Sequence, residues 1–289
     1  ISALLARRRP SSLMDTPRQE KDAYQILSGV FNGKTTGTPI CISIPNENTK
    51  SGDYNYGLAR PSHADYTANC KYHGFEDYRG GGHFSGRITA ALVAAGGIFI
   101  PALEKHGIKI GTHILQCKDV NDDSFDAANI EKQIDSLKTS NFPVLNNAKG
   151  EDISKVILAA RENCDSVGGI TQTAISGLMA GVGEPWFDSI ESLLSHAMFS
   201  LGGVKGIEFG SGFDICDMNG SDSNDSMHSV TGSDKPSFDT NNAGGILGGI
   251  TRGDDIVFRA AVKPVPSIFI EQNTVDSSFE NCSILIEGR

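Results

Sequence analysis

Arginine, histidine and glycine residues are concentrated between Arg60 and Arg87, in a stretch whose composition suits anion binding. His63 and Asp65 lie close to Arg60, and the stretch ends on Arg79-Gly80-Gly81-Gly82-His83-Phe84-Ser85-Gly86-Arg87. A glycine triplet lets backbone N–H groups approach a ligand without side-chain obstruction, and the flanking arginines supply positive charge. These residue types predict a site for a phosphorylated molecule.

His63 is the candidate proton-transfer residue of this stretch. An imidazole has an unperturbed pKa of about 6.5, so it can give or take a proton near neutral pH, and Asp65 could orient the ring or hold its charge. The alternative is a loop histidine that caps a backbone carbonyl. His83 directly follows the glycines, where its ring would face the same anion or a flat ligand. The remaining histidines fall outside these motifs and are predicted to be structural or surface residues.

A second surface rich in glycine and hydrogen-bond donors is predicted from residues 241–249 and from Lys263-Pro264-Val265-Pro266-Ser267. Two prolines stiffen the backbone around a cation and a hydroxyl, which is a rigid way to present donors to a phosphate or a ring carbonyl. Taken alone, the alternative for residues 263–267 is a strand edge with a proline kink. Together the two segments suit a flat cofactor with a phosphate tail.

Several common site classes lack their motifs in this sequence. Neither glycine cluster has the Gly-x-Gly-x-x-Gly spacing of dinucleotide folds, and no P-loop or Gly-x-Ser-x-Gly elbow is present. The formal net charge of −10 argues against a general nucleic-acid binder. Six scattered cysteines without a Cys-x-x-Cys pair or zinc spacing favour reduced thiols in the cytoplasm. We expect no metal, and the best apolar run, residues 90–100, is too short to span a bilayer.

The elements that must position these residues follow from the hydrophobic pattern and the turn signals. The first half predicts a helix over residues 1–9, strands over 26–30 and 39–44 with a turn at Asn32-Gly33, and a functional loop over 46–78. Residues 85–105 predict a buried helix whose N-terminus follows the glycine triplet and would present N–H groups to an anion there.

The second half predicts strands over 108–117, 167–178, 206–209, 256–262, 268–271 and 283–287, and helices over 153–163 and 187–201. Residues 121–140 are predicted to be a polar surface excursion and residues 219–239 a mobile loop. Because strands and helices do not alternate as β-α-β, the fold class predicted is α+β with antiparallel sheets.

Several motifs, in order along the whole chain, resemble those of one family, chorismate synthase. They are Arg8-Arg9-Pro10, Thr16-Pro17-Arg18-Gln19-Glu20, Ile26-Leu27-Ser28-Gly29-Val30-Phe31, Gly33-Lys34-Thr35-Thr36-Gly37-Thr38-Pro39, Arg60-Pro61-Ser62-His63-Ala64-Asp65-Tyr66, Arg79-Gly80-Gly81-Gly82, residues 241–249, and Lys263-Pro264. The resemblance implies a single domain over residues 1–289, with a helical layer between antiparallel sheets. It also implies a homotetramer without nucleic-acid or membrane partners.

The activity implied by the resemblance is that of a carbon–oxygen lyase with a small phosphorylated substrate. It takes 5-enolpyruvylshikimate 3-phosphate to chorismate by 1,4-anti elimination, with reduced FMN and no net redox change. His63 is similar to a catalytic histidine that protonates the flavin or helps phosphate leave. Arg8 and Arg87 resemble cations for the substrate or for NADPH. The implied FMN contacts are His83, Phe84, Ser85, Gly202, Gly203, Gly248, Lys263, Pro264, Val265, Pro266, Ser267 and Arg289.

The sequence departs from the family pattern at three points. His83-Phe84-Ser85 stands where many members have Arg-Ser-Ser, and an arginine that some members carry near Met14 is absent, which weakens the NADPH interpretation. The family's Gly-Glu-Ser-His stretch would precede Ile1 and its His-Asp-Pro stretch would follow Arg289, so we expect a fragment. The alternative function is therefore an inactive FMN- or phosphate-binding fragment of this fold, and an FMN-dependent oxidoreductase is a third hypothesis.

Overall fold

The structure is a computed structural model that describes residues 1–16, 20–47, 57–79 and 84–286. The chain divides into two compact units. The first comprises Ile1–Pro101, Ile157–Ser166 and Val265–Arg289, and the second comprises Ala102–Val156 and Val167–Pro264. The glycine triplet at 80–82, His83 and Arg289 lie outside the described residues, and the sequence predictions for them stay predictions.

In chain order the helices are α1 (Ser2–Arg8), α2 (Asp65–Tyr72), α3 (Thr89–Glu104), α4 (Ile130–Leu137), α5 (Asn147–Glu162), α6 (Ile190–Phe199) and α7 (Gly220–Ser223). The strands are β1 (Gln25–Ser28), β2 (Val30–Phe31), β3 (Lys34–Thr35), β4 (Cys41–Ser43), β5 (Lys109–Cys117), β6 (Val120–Asn121), β7 (Gly169–Ser176), β8 (Val204–Phe209), β9 (Met227–Ser229), β10 (Pro236–Phe238), β11 (Ile246–Leu247), β12 (Ile250–Thr251), β13 (Ile256–Val262), β14 (Gln272–Val275) and β15 (Asn281–Ile284).

The first unit is built from short antiparallel strand pairs and from α1, α2 and the greater part of α3. β1 pairs with β4, and β2 pairs with β3 across the predicted turn at Asn32-Gly33. Both turn residues have positive φ, 48° and 73°, which the tight return of the chain requires. Leu5 of α1 packs against Ala90 and Ala94 of α3, so small residues on α3 let the two helices approach closely.

The second unit is organised around a five-stranded antiparallel sheet with the order β6-β5-β7-β13-β8. Successive side chains of a strand point to opposite faces, so Ile256 and Val257 of β13 enter different cores. Val257 packs with Ile134 of α4, whereas Ile256 packs with Leu194 of α6. The sheet therefore carries helices on both faces, and the α+β class with antiparallel sheets is confirmed.

Residues 121–140 are not a polar surface excursion, because they contain α4. Ile130, Ile134 and Leu137 follow one another at helical spacing and are all buried, while the residues between them are polar. Such a narrow apolar stripe is enough to seat a short helix on a sheet. The polar composition of the segment concealed a helix that its periodicity encodes.

The predicted loops also contain regular structure. Residues 46–78 include α2, although 48–56 lie outside the described part of the chain. Residues 219–239 contain α7 and the antiparallel pair β9 and β10, so the mobile-loop prediction is wrong in its secondary structure. The predicted strand over 268–271 is displaced to β14. The predicted strand over 256–262 is found with the same ends as β13, and the other predicted strands and helices are found with shifted ends.

The helix that follows the glycine triplet is found close to its predicted bounds but is more exposed than predicted. With its leading 3-10 turn it covers Gly86–Glu104, and by length and hydropathy alone these 19 residues could cross a membrane, although only 11% of the segment is buried. Leu92 and Phe99 are 52% and 65% exposed. One such helix is weak support for a membrane span, since core helices of soluble proteins have the same composition. The helix is therefore mostly exposed in the single chain, and the prediction of a buried helix is wrong.

Candidate active site

His63 and Ser267 meet in the first unit, although they are 204 residues apart in the sequence. The Nε2 atom of His63 lies 2.9 Å from Oγ of Ser267. A turn closed by the His63 N–H donating to the Arg60 carbonyl, at 3.2 Å, places the ring just before α2. The structure thus brings together the predicted catalytic histidine and one residue of the predicted cofactor segment.

Asp65 holds Arg60 and makes no hydrogen bond to His63 in the described structure. Its carboxylate accepts from the Arg60 backbone N–H at 3.0 Å, from Nε at 2.8 Å and from Nη2 at 2.8 Å. Burial alone would raise the pKa of Asp65, but these hydrogen bonds, together with the charges of Arg60 and His63, lower it. Asp65 therefore fixes the loop that carries His63 and interacts electrostatically with the ring, and its predicted role toward the ring stays a prediction.

The segment that carries Ser267 is anchored to the end of α5. Ser166 donates its hydroxyl to the Val265 carbonyl at 2.7 Å, and the Phe269 N–H donates to the Cys164 carbonyl at 3.0 Å. Pro266 has no N–H to satisfy, so it fits between these anchors without a lost hydrogen bond. A backbone held on both sides keeps the Ser267 hydroxyl in place for His63.

In the second unit, Lys263 and Gly203 are joined directly. The Lys263 N–H donates to the Gly203 carbonyl at 2.9 Å, which links the end of β13 to the turn before β8. Gly203 has a φ of +97°, a conformation that other residues rarely adopt. Gly202 and Gly248 face open space, because a Cβ built on either would meet nothing within 4 Å. Among the candidate residues of the second unit, Lys263 and Gly203 are therefore hydrogen-bonded to each other, and Gly202 and Gly248 are accessible.

Arg8 and Arg87 converge on one carboxylate, that of Asp22. Arg8 Nη1 lies 3.3 Å from Oδ2 of Asp22, and Arg87 Nη1 makes a short ion pair with Oδ1 of the same residue. Arg87 Nε lies 2.7 Å from Glu20 Oε2, and its Nη2 donates to the Pro45 carbonyl at 2.9 Å. The sequence prediction paired the two arginines with ligands and missed both acidic partners.

The predicted concentration of positive charge between Arg60 and Arg87 is compensated by nearby carboxylates. Arg60 pairs with Asp65, Arg79 pairs with Asp77 at 2.8 Å, and Arg87 pairs as described above. Asp77 hydrogen-bonds the exposed Arg79 and raises the pKa of its guanidinium. The described arginines of the stretch are therefore oriented by carboxylates, and the predicted phosphate site stays a prediction.

Ser85 and Phe84 begin the α3 region in different ways. The Ser85 hydroxyl accepts from the Arg87 N–H at 3.2 Å and so caps the 3-10 turn, whereas the Phe84 side chain is 46% exposed. Val265 is also exposed, at 61%. Within the first unit, the hydroxyls of Ser85 and Ser267 and the exposed side chains of Phe84 and Val265 are contacts of the kind that a flavin requires. The residues present fit that group.

Glu20 and Asp22 are the site residues that the sequence did not reveal. Glu20 ends the motif Thr16-Pro17-Arg18-Gln19-Glu20 and Asp22 follows it, but nothing in the sequence paired either carboxylate with an arginine. Their signal is burial, since the side chains of Glu20 and Asp22 are only 8% and 2% exposed. Buried carboxylates are rare without a cationic partner. Only the folded chain shows which cations these are.

Comparison with known proteins gives a consistent result. The family model described as chorismate synthase matches residues 1–289. The chorismate synthase of Lachnoclostridium phytofermentans is 45% identical over all of this chain and 78% of its own length. Those of Desulfosudis oleivorans and Methanosarcina mazei are each 41% identical, over all of this chain and 79% of their own lengths.

A solved structure is similar as well. A crystal structure of chorismate synthase superimposes with a TM-score of 0.70 at 30% sequence identity, and it covers 84% of this chain and 71% of the solved chain. At this level of identity and overlap, the likeness extends to the fold and is consistent with the relatives found by sequence.

Proposed function

This chain belongs to the chorismate synthase family, and from that premise we propose the chemistry by which its own residues serve the family's reaction. Chorismate synthase function, in the shikimate pathway of aromatic amino-acid biosynthesis, follows from that membership. The substrate we propose is 5-enolpyruvylshikimate 3-phosphate, and the products are chorismate and inorganic phosphate.

The reaction we propose is a carbon–oxygen lyase step, a 1,4-anti elimination. One ring C–H bond and the C–O bond to phosphate break, and a new ring double bond forms. A proton and phosphate leave, so the step needs no net oxidant or reductant. A leaving phosphate accumulates negative charge, and cations or proton donors placed beside it lower the barrier.

His63 is the proposed general acid, which protonates the flavin or helps the phosphate to leave. The observation that supports this role is the 2.9 Å contact between its Nε2 and the Ser267 hydroxyl, which fixes the plane of a half-buried imidazole. General acids contribute about 10² to 10⁴ in rate when they are held in position. Arg60 and Asp65 hold the loop that carries the histidine, so its backbone is fixed as well as its ring.

The cofactor proposed is reduced FMN, which when bound supplies transient electron density that side chains cannot provide. In the first unit its candidate contacts are Phe84, Ser85, Val265, Pro266 and Ser267, with His83 and Arg289 outside the described residues. In the second unit they are Gly202, Gly203, Gly248, Lys263 and Pro264. NADPH, as a source of electrons for the flavin, is a further proposal that involves Arg8 and Arg87.

We test the function by anaerobic assay of the full-length protein with photoreduced FMN and the enolpyruvyl substrate, following chorismate formation. His63→Ala is compared with wild type, and His106→Ala, an exposed histidine near the end of α3, is the matched control. We expect the His63 variant to lose about 10² or more in kcat and the control to keep it. Equal rates for wild type and His63→Ala would remove His63 from the mechanism.

The same preparation separates the alternative function. A wild-type protein that binds FMN, measured by quenching of flavin fluorescence, yet forms no chorismate would support the inactive FMN- or phosphate-binding fragment. Oxidation of NADPH without the enolpyruvyl substrate would instead favour a net oxidoreductase. We also propose a cytoplasmic homotetramer, and the free cysteines of the described structure are consistent with a reducing compartment.

A further inference from the structure

A buried acidic pair, Glu20 and Asp22, lies against the two arginines proposed to bind the substrate. Asp22 uses one carboxylate oxygen for each arginine, Oδ2 for Arg8 and Oδ1 for Arg87. Glu20 adds a 2.7 Å ion pair to Nε of Arg87. The guanidinium groups of Arg8 and Arg87 are thus connected through the carboxylate of Asp22.

Burial strengthens the ion pairs of Asp22 and Glu20 with the two arginines. The side chain of Asp22 is 2% exposed and that of Glu20 is 8% exposed, whereas Arg87 and Arg8 are 11% and 26% exposed. Ion pairs removed from water are weakly screened, and breaking one leaves an uncompensated charge. Exposure increases from Asp22 to Arg8, so the carboxylate lies at the base of the network and Arg8 at its solvent side.

The backbone at Asp22 is suited to this task. Its φ is +47°, in the left-handed region, which Asp and Asn adopt more readily than other non-glycine residues. Asparagine therefore fits the same backbone, with the same shape and no charge. The chain offers a variant that removes only the electrostatic part of the interaction.

Each arginine is also tied to neighbouring backbone or hydroxyl groups. Arg87 donates to the Pro45 carbonyl at 2.9 Å, and Arg8 Nη2 lies 3.3 Å from both the Gly86 carbonyl and the Thr89 hydroxyl. Arg8 is thereby brought to the first residues of the α3 region, beside the turn that Arg87 itself occupies. Two guanidinium groups that contact the same carboxylate would repel each other, and the negative charge of that carboxylate offsets the repulsion.

We propose that Asp22, supported by Glu20, is a positioning residue that holds Arg8 and Arg87 side by side for the anionic groups of the substrate. The inference rests on the proposed function, in which these arginines bind a substrate that carries a phosphate and two carboxylates. Asp22 touches no reacting atom. It offsets the repulsion between two guanidinium groups before the substrate arrives, so that binding does not have to bring the two cations together.

The test compares Asp22→Asn with wild type in the full-length protein, by calorimetric titration with the enolpyruvyl substrate and by steady-state kinetics. We expect Kd and KM to rise about tenfold, with kcat changed by less than about threefold, because a misplaced binding cation weakens substrate binding more than it affects chemistry. Asp152→Asn, which removes an exposed partner of Lys155, is the control and should leave both constants unchanged.

A double-mutant cycle distinguishes positioning from a general structural role. If Asp22 acts through Arg8 and Arg87, Asp22→Asn raises the Kd of Arg8→Ala by less than it raises the Kd of wild type, since one of the two groups it positions is already absent. Multiplicative effects of the two substitutions on Kd, or an unchanged Kd in Asp22→Asn, would overturn the proposal. A lowered kcat with unchanged KM would overturn it as well.

Two further measurements keep the result decisive. If circular dichroism shows that Asp22→Asn is unfolded, Asp22→Glu takes its place, because it keeps the charge and moves the carboxylate by one methylene. We then expect Asp22→Glu to raise the Kd for the substrate, and an unchanged Kd would contradict the proposal. Calorimetry also separates this inference from the function. Substrate binding weakened by Asp22→Asn supports positioning even if no chorismate forms, whereas a wild-type protein that does not bind the substrate contradicts both.

Discussion

Charge compensation at individual residues decides what the candidate site can do. An arginine fixed by a buried carboxylate is oriented before a ligand arrives, and it loses less side-chain entropy on binding than a free one. Arg87 is the clearest case, because two carboxylates and a carbonyl occupy its three nitrogen atoms. The orientation of the Arg87 guanidinium is therefore fixed by its partners, in addition to the charge that it carries.

At the same scale, we predict that Ser267→Ala lowers kcat by up to about tenfold, because the loss of one net hydrogen bond releases the His63 ring. Ser267→Thr, which retains the hydroxyl, should restore most of the activity. The measurement is chorismate formation with reduced FMN, with Ser136→Ala on the exposed face of α4 as control. Failure of the threonine variant to restore activity would argue against the hydroxyl as the orienting group.

Asp65 gives a prediction about pH. Its pKa is lowered in the folded state, so it stabilises the protein above the unfolded-state pKa of about 3.9, and this contribution is lost as the pH falls through the folded value. We expect Asp65→Asn to reduce the free energy of unfolding by about 1–3 kcal/mol at pH 7, and by less at pH 3. Urea titrations at the two pH values measure it, and an equal loss at both would contradict the assignment.

Short elements with few apolar residues are stabilised by a small number of buried side chains. α4 has only a narrow apolar stripe, yet Ile134 is fully buried between the helix and the sheet. The segment around β9 and β10 has almost no core and is held instead by Asp225 and Arg252, whose side chains are each 4% exposed. The same unit therefore uses apolar packing on one element and a buried ion pair on another.

We predict that Ile134→Ala lowers the free energy of unfolding by about 2–5 kcal/mol, the cost of a cavity in a packed core. Lys132→Ala, on the exposed side of the same helix, should change it by less than about 0.5 kcal/mol. Chemical denaturation with circular dichroism compares the two variants. A small effect of Ile134→Ala would mean that α4 is not part of the cooperative core.

Asp225 anchors the segment that precedes the glycine-rich residues 241–249. It accepts from the Thr240 hydroxyl at 2.6 Å and from the backbone of Asn242 at 2.7 Å and Ala243 at 3.0 Å, and it pairs with Arg252. Burial alone would raise its pKa, but these hydrogen bonds lower it. Asp225 therefore fixes the first residues of the glycine-rich segment 241–249.

Asp225→Ala should cost about 3–5 kcal/mol of stability, because it leaves the Arg252 guanidinium buried beside fewer carboxylates. We also expect faster proteolysis between β9 and β10, since the hairpin loses its anchor. Limited elastase digestion followed by mass spectrometry locates the cleavage after Val230, an exposed residue between the two strands. Asp234→Ala, in the exposed turn of the same hairpin, is the control, and equal digestion of the two variants would contradict the anchoring role.

At the scale of the whole molecule, the chain combines a net charge of −10 with extensive exposed apolar side chains. The exposed residues of α3, among them Leu92 and Phe99, lie on a helix that is mostly accessible in the single chain. Burying apolar surface between copies is a general driving force for assembly. This exposure supports the proposed homotetramer.

We predict that the protein behaves in solution as a homotetramer, with a light-scattering mass about four times that of the polypeptide. Size-exclusion chromatography with multi-angle light scattering measures it, across a tenfold range of protein concentration. Because apolar burial is weakly affected by salt, the mass should hold at high ionic strength. A monomeric mass throughout would contradict the proposal.

Local pattern was sufficient to predict much of this fold. Alternation and turn residues predicted β5, β7, β13 and the hairpin at Asn32-Gly33, because strand period and positive-φ turns depend on neighbouring residues. The α+β class followed from the order of these elements. α4 was missed although its spacing was present, and the structure within 219–239 was missed because a buried ion pair between Asp225 and Arg252 replaces apolar residues there.

The sequence by itself determined the family, the residue types of the site and the candidate roles of His63 and the arginines, since ordered motifs carry that information along the chain. Tertiary structure alone decided the partners: Ser267 for His63, Asp65 for Arg60, and Asp22 for both Arg8 and Arg87. The physical reason is range. Local motifs reflect backbone preferences a few residues apart, whereas charge pairing depends on distances in space that only the folded chain sets.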